Sequence, residues 1–154
     1  MISYPTTDQI VLDCRRELLE VIGPEVTSEA GRVSMQMIEN VLRNVAARAA
    51  HEIAWMHDEI TAMESYAREV AQVIPGNDAL TAALTALAGV SRASLHLNDV
   101  TVVYTVAGEA LSCALEAALA TGNNDLADRA AALLTARSAT EQQIMGEWGF
   151  VGRG

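Results

Sequence analysis

The chain has 154 residues, 51% of them hydrophobic and 19% charged, a balance that excludes intrinsic disorder and suits one globular domain. Its net charge of −10 argues against nucleic acid and anionic membrane surfaces as partners. Its ten basic residues are all arginine, which excludes Schiff-base lysines and the lysine of a phosphate-binding P-loop. Alanine is abundant and proline rare, as a helical protein requires.

Residues 1–6 read as an N-terminal arm, because Tyr4-Pro5 disfavours helix. Thr6 and Gln9 have capping-box spacing. A first helix then runs to about Val21, with Ile10, Leu12, Leu18, Leu19 and Val21 as core candidates, and Gly23-Pro24 stops it. Thr27 or Ser28 caps a second helix that meets no proline before Pro75. Ile53, Met56, Ile60, Met63, Ala67, Val70 and Ile74 form a three-four stripe along it, and Val41, Leu42 and Val45 extend the apolar face upstream. Methionines 35, 37, 56 and 63 read as core filler.

Pro75-Gly76-Asn77 is a tight turn, and Asp78 is positioned to cap a third helix that reaches Thr121. Leu80, Leu84 and Leu87 set the helical spacing at one end, and Leu111, Leu115 and Leu119 repeat it at the other. Between them lies a seam of small or polar residues: Ser91, Ser94, Asn98, Thr101, Thr105, Gly108 and Ser112. Hydroxyls at such positions can bond back to the carbonyl four residues earlier, so the seam could be buried against another helix. A rod on the order of 65 Å long, apolar on most sides, needs more cover than one such chain provides. The places where it could break are Gly89 and, on the second helix, the region of Thr61. Asn124 or Asp125 caps a fourth helix carrying Leu126, Ala130, Leu133, Leu134 and Ile144. Residues 146–154 form a glycine-rich C-terminal tail with Trp148 and Phe150, which either fold back or anchor on a neighbour.

The expected fold is therefore all-α: a single helical-bundle domain over residues 1–154, with four helices and a long central antiparallel hairpin of helices two and three. If those two helices pair around the turn, His96 lies near Trp55, Met56 and His57, Arg92 near Glu59, and Arg43 near Glu109. The residues that could form a ligand site are then Glu52, Trp55, His57, Glu59, His96 and Asp99. Histidines and carboxylates converging inside a bundle can bind metal. No Glu-x-x-His or zinc-protease motif is present, however, so no metal, cofactor or catalytic residue is assigned. Cys14 and Cys113 lack metal-ligand spacing and read as reduced core residues.

The run Gly31-Arg32-Val33, Glu39-Asn40-Val41-Leu42, Arg48 and Glu52 resembles a bacterial family of small helical proteins of unknown function. They are typically encoded beside aminoglycoside-phosphotransferase-like kinases and acyl-CoA dehydrogenases. The resemblance covers about thirty residues and implies an accessory role near acyl-CoA metabolism, without assigning functional residues. The residues themselves favour a cytoplasmic, non-catalytic bundle that forms a homodimer and serves another protein. The interface would take Ser94, Asn98, Thr101, Thr105, Gly108, Ser112, Trp148 and Phe150 and bury well over ~2,000 Å². The alternative is a small-molecule or metal binder, or an enzyme, using the site between helices two and three.

Overall fold

The computed structural model describes residues 4–145, which are almost wholly helical, with no strand among them. The all-α expectation holds. Five α-helices take the place of the expected four: α1 Thr7–Glu17, α2 Glu29–Val73, α3 Asp78–Gly89, α4 Leu97–Thr121 and α5 Asn124–Met145. A π-helical turn, Leu18–Ile22, and a 3₁₀ turn, Gly23–Glu25, follow α1. The tail with Trp148 and Phe150 lies outside the described residues.

The helix ends follow side-chain chemistry. Gln9 Oε1 accepts the Thr6 N–H at 3.0 Å, which satisfies a donor at the start of α1. The Ser28 hydroxyl accepts from Gly31 N–H at 3.1 Å as α2 begins. The next two caps each sit one residue before the expected ones. Asn77 accepts from Leu80 N–H at 2.9 Å and Asn123 from Leu126 N–H at 3.2 Å, so Asp78 and Asn124 are already helical. Gly122 closes α4 with φ of 64°, a left-handed conformation that glycine adopts without a Cβ penalty.

The expected helix from Asp78 to Thr121 is broken. α3 stops at Gly89 and residues 90–96 leave the helix. There the side chains compete for the backbone: the Ser94 hydroxyl accepts His96 N–H at 3.1 Å, and the Ser91 hydroxyl accepts Ala93 N–H at 3.5 Å. The break turns one rod into two shorter helices, α3 and α4, that pack on each other. The second helix, by contrast, runs unbroken through Thr61.

The chain divides into two compact units, Met1–Glu52 with Glu141–Gly154, and Ile53–Thr140. The second unit holds the hydrophobic core. Ile60, Met63, Ala67 and Val70 of α2 meet Leu80 and Leu87 of α3, an α4 stripe of Val103, Ala107, Ala110, Ala114 and Ala117, and Leu126 and Ala130 of α5. Within this core the Tyr66 hydroxyl donates to the Leu126 carbonyl at 3.2 Å, and burial, with Glu69 nearby, raises its pKa.

The first unit is built differently. None of the residues of α1 is buried. Ile10, Leu12, Leu19 and Val21, expected in a core, are exposed, as are Val41 and Val45 of α2. Cys14 is exposed as well, which corrects its core reading. What joins α1 to α2 is an ion pair: Arg15 Nε donates to Glu39 Oε1 at 2.7 Å, and Glu39 is only 8% exposed.

Candidate functional site

The members of the expected constellation lie in different settings. His96 and Asp99 are exposed at the start of α4, where the His96 carbonyl accepts Asp99 N–H at 2.9 Å. Glu52 is paired with Arg48 on its own helix. His57 and Trp55 are half-buried, and His57 Nε2 is buried without a hydrogen-bond partner. Among the described residues no group of three or more His, Cys, Asp or Glu is placed to hold a metal ion. The physical reason is the break after Gly89, which resets the register between α2 and α4. Arg92, expected beside Glu59, instead pairs with Glu64 at 2.6 Å, and Arg43 donates to Asn40 at 3.2 Å.

Glu59 enters a built polar cluster within the second unit. Tyr104 of α4 donates its hydroxyl to Glu59 Oε2. Arg137 of α5 donates to the Tyr104 oxygen at 3.0 Å and approaches Glu59 Oε2 at 3.5 Å. The guanidinium carbon also stands 5.8 Å from the centroid of the Tyr104 ring, within cation–π range. Three helices thus converge on one carboxylate whose charge the arginine balances. Sequence reasoning overlooked Tyr104 because its hairpin rule assumed the register of an unbroken helix three, and Arg137 because it took no account of α5.

Beside this cluster lies an open cleft of about 260 Å³, lined by Asp58, Glu59, Ala62, Met63, Leu133, Ala136, Arg137 and Thr140. Ligand pockets usually measure about 300–1,000 Å³. The cleft is thus small, and its floor of alanine, methionine and leucine offers apolar contact and little chemistry.

A second polar cluster anchors the segment between α3 and α4. Glu64 accepts from both Arg68 and Arg92, at 2.7 and 2.6 Å. Burial pushes the Glu64 carboxyl up, but the two guanidiniums outweigh it and hold the pKa below the ordinary 4.5. A lowered carboxylate stabilises the fold above its unfolded pKa, and that contribution is lost as pH falls through the folded value. Glu64→Gln should therefore destabilise the chain at neutral pH and cost progressively less below about pH 4.5. Denaturant unfolding of both proteins at neutral pH and near pH ~3 tests this; a stability difference independent of pH would refute it.

The seam expected at an interface lies largely exposed in the single chain. Thr101, Thr105 and Ser112 donate to the carbonyls of Leu97, Thr101 and Gly108 at 2.8, 2.9 and 3.0 Å, as the spacing required. These three and Asn98 are exposed, Ser94 and Gly108 are half-buried, and a Cβ on Gly108 would meet nothing within 4 Å. Val102 and Leu119 of α4 are exposed too. By length and composition α4 is apolar enough to cross a membrane, the single case among the described helices, yet Glu109 and Glu116 lie in it and its alanine stripe is core.

Comparison with known protein families, with curated proteins and with solved structures finds no match.

Proposed function

We propose that this chain is a non-catalytic helical bundle that self-associates and acts as an accessory or interaction protein. One observation carries the reading: large aliphatic side chains stand exposed along α1, the first half of α2 and α4, on a chain whose main polar clusters are closed ion pairs. Aliphatic side chains left exposed along a helix mark an interaction surface, and a two-fold dimer is the commonest way to cover one. Cytoplasmic placement, and an accessory role near acyl-CoA metabolism, belong to the same proposal; the second rests on the family resemblance along α2 alone.

Light scattering on the purified chain should return twice the 16.4 kDa chain mass at micromolar concentration. A well-behaved species of single-chain mass would refute self-association.

The cleft beside Glu59 favours a second reading, binding of a small apolar molecule by the second unit. Saturable stabilisation by a short-chain acyl compound, lost in Ala136→Trp, would support it over the first.

A further inference from the structure

We infer that the dimer forms through the first half of α2, by antiparallel packing of the exposed stripe Val33, Met37, Val41 and Val45 against the same stripe of a second copy. The inference rests on the self-association reading and names its surface.

The stripe is laid out for helix packing. Its members recur every four residues, with Ile38 beside them, and all five side chains are exposed, Met37 at 63% and Val41 at 53%. Rows at four-residue spacing are the ridges that interlock when two helices cross at about −50°. The opposite side of the same segment is already used within its unit, where Glu39 meets Arg15 and Met35 lies against Gly23. One side of this amphipathic segment is therefore occupied, and the other presents aliphatics to solvent.

Charge selects a second copy as the occupant. Residues 29–52 hold three glutamates (Glu29, Glu39, Glu52) and three arginines (Arg32, Arg43, Arg48), so the segment is neutral within a chain of net charge −10. Two such chains repel each other nearly everywhere else, and here they do not. Two-fold symmetry sets Met37 against Val41 of the second copy at the crossing point, a self-complementary arrangement with no unpaired charge at its centre.

The test is sedimentation equilibrium of the full chain, with helicity followed by circular dichroism. The unmutated chain is expected to be a dimer. Val41→Glu should weaken it by roughly 30-fold or more, as a central interface position does, whereas Thr101→Arg on α4 should leave it intact. A dimer dissociated by Thr101→Arg and untouched by Val41→Glu overturns this inference and leaves self-association standing; an unmutated monomer overturns both. Should Val41→Glu lose its helicity, the pair Met37→Cys with Val41→Cys, which face each other across the two-fold axis, gives an independent readout in a Cys14→Ser, Cys113→Ser background. Mild oxidation should yield a disulfide-linked dimer, and its absence overturns the inference. A chain lacking residues 146–154 should still dimerise; if it is monomeric, the interface belongs to the tail and the inference is overturned.

Discussion

Leu87→Ala is expected to destabilise the fold by about 3 kcal/mol and to lower the melting temperature by roughly 6–12 °C. Leu87 is wholly buried in the last turn of α3, where it joins Leu80 in the core of the second unit. The substitution removes three methyl or methylene-sized groups from a close-packed interior, and the backbone of four converging helices limits how far the hole can collapse. Leu119→Ala is the control: the same chemical change at a residue 72% exposed should stay within about 0.5 kcal/mol. Thermal unfolding of the two variants checks this, and equal shifts would show that the core has been misplaced.

Ala114→Leu is expected to cost about 1–3 kcal/mol. Ala114 is wholly buried at the centre of the stripe Ala107, Ala110, Ala114 and Ala117, where α4 presents only methyl groups to its neighbours. Small side chains let the helices approach closely, and a larger one there must force them apart or take a strained rotamer. Ser112→Leu, two positions away on the exposed face, should leave stability within about 0.5 kcal/mol. Denaturant titration decides it; an Ala114→Leu chain as stable as the parent would mean the α4 packing is loose.

That contrast shows what the residues disclosed and what they did not. Two small-residue stripes run along α4, and the reading from sequence chose the one with hydroxyls and glycine. The alanine stripe became the packed one. Both satisfy the three-four spacing, so periodicity could not separate them. Threonine and serine hydroxyls that bond back to their own helix remain compatible with water, whereas alanine offers nothing to water and most readily takes the interior. The core stripe from Ile60 to Val70 was legible, because α2 has neither glycine nor proline after Gly31 and its apolar residues keep strict register. The fifth helix was hidden because Gly89 alone is a weak stop; what ends α3 is Gly89 together with Ser91 and Ser94 just beyond it, whose hydroxyls capture backbone donors. The Glu59–Tyr104–Arg137 cluster needed contacts among α2, α4 and α5, separated by 45 and 33 residues, which no local pattern encodes.

The 45 residues of α2 belong to two regimes at once. From Ile53 onward its carbonyls and amides are shielded by a true interior; before Glu52 the same hydrogen-bond ladder rests on a half-buried ion pair and little buried hydrocarbon. Such a helix does not open uniformly. Its early amides exchange with solvent through local fraying, its later ones only when the whole interior comes apart, so one continuous element spans two cooperative units. Anything that covers the early half then acts as a ligand for its folded form, and the local stability of that half becomes a function of concentration.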